Sequence, residues 1–176
     1  MPSKEPKQTY DTRGQVTLVG AGPGAVDLIT VRGQNALKQA DVVVYDDLAN
    51  VALLEFCPEG TDRIYVGKRA GKHGAIQAEI CEVLVSEAQR GRRVVRLKGG
   101  DPLIFGRGGE EEHALAEAGI PFEIVPGVTA ATAAGAMTGI PLTHRQHASA
   151  VIFVTGHECS GKPGDAAVDW RALART

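Results

Sequence analysis

Val16-Thr17-Leu18-Val19-Gly20-Ala21-Gly22-Pro23-Gly24-Ala25 is an apolar, partly β-branched run that breaks abruptly into glycine and proline. Such a break reads as a strand running into a tight turn. Further apolar runs at 42–45, 63–66, 94–97 and 122–125 alternate with helical patterns at 32–39, 75–90 and 109–118. In the second of these patterns Ile76, Ile80, Val83 and Leu84 recur at helical spacing. Strands alternating with helices predict βαβ units, hence an α/β fold built on a mainly parallel five-stranded sheet.

Downstream, 127–139 is rich in Ala, Gly and Thr and predicts a closely packed small-residue helix. A linker follows over 139–149, then a fresh strand at 150–155 and a polar Gly/Pro-containing stretch that leads to Trp170. Met137 and Trp170 are read as packing residues. One strand cannot form a domain, because its backbone groups need partners. It either joins the first sheet or opens a second unit. The division expected is a flexible leader at 1–14, an N-terminal α/β domain at 15–138, and the beginning of a truncated C-terminal α/β domain at 150–176.

Composition narrows the classes of function. With 43% hydrophobic and 23% charged residues in 176, the chain has the make-up of a globular protein rather than a disordered one. A formal net charge of -2 argues against nucleic-acid or membrane-surface binding, and means that an anionic ligand must be met by a local basic patch. Cys57, Cys81 and Cys159 lie far apart, without zinc spacing or an even-numbered disulfide framework. A reducing cytoplasm is the simplest setting. No apolar run approaches the roughly 20 residues of a membrane span, and the first 15 residues lack the apolar centre of a signal peptide. His144 and His147 are too isolated a pair for a metal site.

The glycines after the first strand lie where open α/β sheets bind ligands. They fit the G-x-G-x-x-G/A dinucleotide fingerprint, with Asp46 and Asp47 where a ribose-binding acid would stand. Pro23 counts against a nucleotide, since it removes an N–H from the loop that would cradle a pyrophosphate. A tight turn without any ligand explains this loop alone equally well. The second loop shifts the balance. Residues 96–111, Arg96-Leu97-Lys98-Gly99-Gly100-Asp101-Pro102-Leu103-Ile104-Phe105-Gly106-Arg107-Gly108-Gly109-Glu110-Glu111, leave another strand at the same edge with five glycines and a proline. Paired glycines let backbone approach a ligand, Asp101 can accept from an amine or hydroxyl, and Pro102 stiffens the turn. Two such loops on one edge imply a shared cleft.

Val19–Thr30 with Asp41–Asp46, then Val95–Glu111, then Pro121–Arg145, which contains Pro121-Phe122-Glu123-Ile124-Val125-Pro126-Gly127-Val128-Thr129-Ala130 and Gly139-Ile140-Pro141-Leu142-Thr143-His144-Arg145, resemble the uroporphyrinogen-III C-methyltransferases, tetrapyrrole methylases at the entry to sirohaem and cobalamin. The resemblance runs from about residue 15 to the end of the chain. It implies two α/β domains with S-adenosylmethionine folded between them, unlike the Rossmann methyltransferases. Pro23, Gly99, Gly100, Asp101, Ile104, Thr129 and Ala130 would then contact the cofactor, which leaves as S-adenosylhomocysteine.

By the same resemblance, Asp46 is the proton acceptor and Lys68 the proton donor in two methyl transfers that convert uroporphyrinogen III to precorrin-2, without a metal. Read without the resemblance, Asp46 is a capping residue and Lys68 a solvated one. The substrate carries eight carboxylates, so positive groups must dock it: Arg69 and Lys72 in the basic loop 67–73, with Arg107, His144 and Arg145. The family also implies a homodimer. Activity of the chain by itself is expected to be negligible, with half the cofactor's walls beyond residue 176. Two positions depart from the family pattern: Ala25 replaces an acid, and Asp47 replaces an Arg or Lys beside Asp46. Another tetrapyrrole methylase and a non-catalytic ligand-binding domain are the alternative readings.

Overall fold

In the computed structural model, residues 14–67, 73–155 and 168–175 are described. Five parallel strands form one sheet: β1 Gln15–Gly20, β2 Val42–Tyr45, β3 Asp62–Tyr65, β4 Arg93–Lys98 and β5 Phe122–Val125. Their order is β3-β2-β4-β1-β5, which puts β4 at the centre. The α/β expectation therefore holds, with strand bounds within a residue of those read from the sequence.

Alternation along each strand divides the core between the two faces. Val19, Val43, Val95 and Leu97 join Leu37 of α1 (Val31–Leu37) together with Leu53 and Leu54. Val16, Leu18, Val42, Val44 and Val94 join Ile80, Leu84 and Ala88 of α2 (His73–Gln89) and Leu115 of α3 (Gly108–Glu117). Both faces are covered, as a parallel sheet requires. Helix α1 starts where Thr30 Oγ1 accepts from Gly33 N at 3.1 Å. Helix α3 carries Glu110 and Glu111 in its first turn, where the helix dipole favours acids.

Two short 3-10 turns, Val26–Leu28 and Val51–Phe56, were not expected from periodicity. Each is too brief to repeat an apolar pattern. The chain divides into two units, Met1–Ala133 and Ala134–Thr176, and the division falls within α4, Ala130–Thr138. In the second unit 150–155 forms no strand. A β-branched run becomes a strand only where its backbone pairs with an edge. Met137 and Trp170, read as packing residues, are 82% and 64% exposed. Trp170 opens a single helical turn, α5 Trp170–Leu173, capped by Asp169, and one turn buries little.

Candidate functional site

Parallel strands deliver their carboxyl ends to one edge, and the register makes neighbours of Gly20 and Lys98, and of Val19 and Val125. The loops leaving β1, β4 and β5 are then bound to one another by backbone. Gly22 N donates to Gly100 O at 3.2 Å, and Gly100 N returns a bond to Gly22 O at 2.7 Å. Both residues sit at positive φ, +76° and +65°, where a side chain is strained. Asp101 joins the third loop: its Oδ1 accepts from Leu103 N at 2.9 Å and its Oδ2 from Gly127 N at 3.0 Å.

The paired glycines therefore do different work. A Cβ on Gly99 would lie 2.5 Å from Leu48 O, so this glycine lets the β2 loop approach β4. A Cβ on Gly100 would meet nothing nearer than Ala130 N and Thr129 Cα, both at 3.9 Å. Gly100 thus faces the two residues predicted with it as cofactor contacts. Pro23 is half-buried in the first loop, which Asn50 Nδ2 anchors by donating to Gly24 O at 2.7 Å. Ile104, 37% exposed, stands just beyond Asp101. The glycines of the first loop do not open onto a helix: the Val26–Leu28 turn intervenes, and the amino end of α1 is occupied by Thr30. That geometry lacks the helix terminus on which a dinucleotide pyrophosphate rests.

Asp46 follows β2 at the same edge. Its Oδ1 accepts from Leu48 N at 3.0 Å and its Oδ2 from Arg96 Nη2 at 2.6 Å. Arg96 is 2% exposed, and its Nε donates to Glu111 Oε1 at 3.1 Å. Glu111, fully buried on α3, takes on that same oxygen Lys98 Nζ at 2.9 Å and Gln77 Nε2 at 3.3 Å. Burial, and next the charge of Arg96, lower the Lys98 pKa below its ordinary value, with Glu111 opposing them. Arg96, Lys98 and Glu111 were quoted in the sequence motif without a role. The signal for Arg96 and Lys98 was a charge inside a central strand, which must be buried and therefore paired; Glu111, on a helix, carried none.

Other expected residues fall elsewhere. Arg107 pairs with Glu110 through two contacts of 2.7 Å, and this ion pair lowers the Glu110 pKa. His144 and Arg145 are exposed in the second unit, where the His144 and His147 rings stack at 4.6 Å. Lys68, Arg69 and Lys72 lie outside the described residues. Asp47, beside Asp46, accepts from Tyr65 Oη at 2.5 Å, and that bond raises the tyrosine pKa. Among the described residues no group of three or more His, Cys, Asp or Glu could hold a metal ion. No described helix is long and apolar enough to cross a membrane.

Known proteins resemble this chain in sequence and in fold. The chain is 57% identical over 164 residues to siroheme synthase 1 of Serratia proteamaculans and 58% identical over 163 residues to that of Yersinia enterocolitica. It covers 34% of each, so it spans about a third of the curated relatives it matches. Among solved structures, a uroporphyrin-III C-methyltransferase from Thermus thermophilus superposes with a TM-score of 0.66 at 46% identity, over 76% of this chain and 56% of that one. The Thermus enzyme complexed with S-adenyl homocysteine gives 0.62 at 46%, over 75% and 51%. A cobalt precorrin-4 methyltransferase gives 0.66 at 37%, over 75% and 53%. Residues 15–176 match the family described as tetrapyrrole (corrin/porphyrin) methylases, and it is to this family that the chain belongs.

Proposed function

We propose that the chain is part of a uroporphyrinogen-III C-methyltransferase, which uses S-adenosylmethionine to place two methyl groups on uroporphyrinogen III and gives precorrin-2. In this reading 15–138 is the N-terminal methylase domain, 150–176 opens a second one, and the protein is a cytoplasmic homodimer. The observation that carries it is the tethered edge of Gly22, Gly100 and Asp101, with Asp46 beside it. Identity to the Thermus methylase, higher than that to the precorrin-4 enzyme, supports uroporphyrinogen III over a later tetrapyrrole.

The bound cofactor supplies an electrophilic methyl group, which a pyrrole carbon takes as the sulfur leaves with the bonding electrons. The residues of this chain position and exclude water. Pro23, Gly99, Gly100, Asp101, Ile104, Thr129 and Ala130 line the cofactor. Gly100 fits that role, because the space a Cβ would take is open toward Thr129 and Ala130. Asp46 accepts the proton that the methylated ring must lose, a contribution on the order of 10²–10⁴-fold for positioned acid–base groups. Lys68 is the proton donor as the remaining ring protons redistribute, the ring losing one proton net for each methyl gained, and Arg69, Lys72, Arg107, His144 and Arg145 meet the substrate carboxylates.

The test is anaerobic incubation of the full-length protein with uroporphyrinogen III and methyl-labelled S-adenosylmethionine, with mass analysis of the tetrapyrrole. Two added methyl groups are expected. Label found only on another tetrapyrrole would overturn the substrate assignment.

A further inference from the structure

Four ionic side chains converge under the proposed site, and the proton-accepting role of Asp46 leaves three of them without a function. As a device for stability they are poor, since buried ion pairs are often matched or surpassed by apolar side chains of similar volume. Their geometry, however, is directional. Every nitrogen of the Arg96 guanidinium is engaged: Nε with Glu111 Oε1 at 3.1 Å, Nη1 with Leu97 O at 3.0 Å, and Nη2 with Asp46 Oδ2 at 2.6 Å. Such an arginine has one orientation, and it fixes one orientation of the Asp46 carboxylate.

Glu111 sets that orientation from the far side. It stands at the start of α3, just after the glycine loop, and its Oε1 also holds Lys98, the last residue before that loop. One oxygen thus ties both ends of the loop to the arginine that holds Asp46. Glu111 Oε2 is buried with no hydrogen-bond partner among the described residues.

We infer that Glu111 is a positioning residue: acting through Arg96, it registers the Asp46 carboxylate against the glycine loop of residues 99–107. This rests on the reading of Asp46 and the loop given above. Glu111 itself touches no reactant.

The experiment has a spectroscopic arm that needs no turnover and a kinetic arm that does. Carbon-13 NMR of the side-chain carboxylates in the full-length protein is compared for wild type, Glu111→Gln and Arg96→Lys. Glu111→Gln keeps the shape and removes the charge, while Arg96→Lys keeps a cation and removes the guanidinium fork that joins Glu111 to Asp46. Both are expected to move the Asp46 resonance and leave that of Asp41, at the opposite end of β2, in place. An unmoved Asp46 signal in either folded variant overturns the inference.

In the kinetic arm Glu111→Gln is expected to lower kcat on the order of 10–100-fold, the range for displaced catalytic geometry, with KM for the tetrapyrrole unchanged. In an Asp46→Asn background the same change is expected to have less than about twofold further effect, the mark of action through one group. Full additivity overturns the inference while leaving Asp46 as acceptor. A shifted Asp46 signal with Asp46→Asn at the wild-type rate upholds the positioning and removes the acceptor role.

Discussion

The two ends of the sheet are both held by arginine–carboxylate pairs, yet they are built on opposite principles. At the amino ends Arg93 opens β4 and grips Asp41, which precedes β2, through its backbone N at 2.8 Å, its Nε at 3.1 Å and its Nη2 at 2.7 Å. Nearby, Arg92 pairs with Asp62 and Glu87. The Arg93–Asp41 side chains are 53% and 38% exposed. At the carboxyl ends, three residues further along the same strand, Arg96 and Glu111 are essentially sealed from water. Solvent screens the Arg93–Asp41 pair and makes it a modest fastening. The second set is unscreened, so each member is needed by the others. The central strand is thus held by an exposed pair, Arg93–Asp41, at its amino end and by a buried one, Arg96–Glu111, where the proposed chemistry lies.

The largest expected effect comes from breaking the buried set. Arg96→Leu leaves Asp46 and Glu111 without their shared cation, and a loss of roughly 3–5 kcal/mol is expected, read by urea unfolding followed by circular dichroism. A loss below about 1 kcal/mol, the scale of an exposed pair, would erase the distinction between the two ends. Next comes the backbone contact at the same edge. A Cβ on Gly20 would lie 2.5 Å from Gly127 N and Cα, where only main chain can yield. Gly20→Ala is expected to lose about 1–3 kcal/mol, and unchanged stability would show that the β1 and β5 loops can part without penalty.

The smallest effect belongs to the amino end. The hydrogen bond from the Arg93 side chain is the main cause holding the Asp41 pKa below its ordinary value of 3.8. A carboxylate with a lower folded pKa stabilises the fold fully above the unfolded value and loses that contribution as pH falls through the folded one. Asp41→Asn is therefore expected to destabilise by about 0.2–1 kcal/mol at neutral pH. The deficit should shrink as pH falls below 3.8. A deficit that grew in acid would reverse the assigned sign.

The sheet was legible because each strand carries β-branched or aromatic residues between turn and helix signals, and Val42–Tyr45, wholly of that kind, was read to the residue. Its carboxyl edge was legible as well, since Gly22, Gly100 and Asp101 stand together in dense glycine motifs. The buried arginine was not. Arg96 looks in sequence like any other basic residue, and only the central place of β4 turns it into an interior charge. The separate duties of Gly99 and Gly100 were equally hidden: one is required by Leu48, 51 positions earlier, and the other by its own φ. Residues 150–155 mislead for the converse reason, because β-branched composition describes a willing strand but not whether an edge is there to receive it.

The central claim is that the tethered edge around Gly100 holds S-adenosylmethionine, and calorimetric titration of S-adenosylhomocysteine into the full-length protein and its Gly100→Val variant tests it most directly. The Cβ of the valine would stand 3.9 Å from Ala130 N and Thr129 Cα, and a β-branched residue is strained at the φ of +65°, so circular dichroism accompanies the titration to show that the variant is folded. Saturable binding to wild type and no measurable heat from the folded variant is the predicted result. Equal affinity in the two proteins would contradict the account and move the cofactor away from this edge.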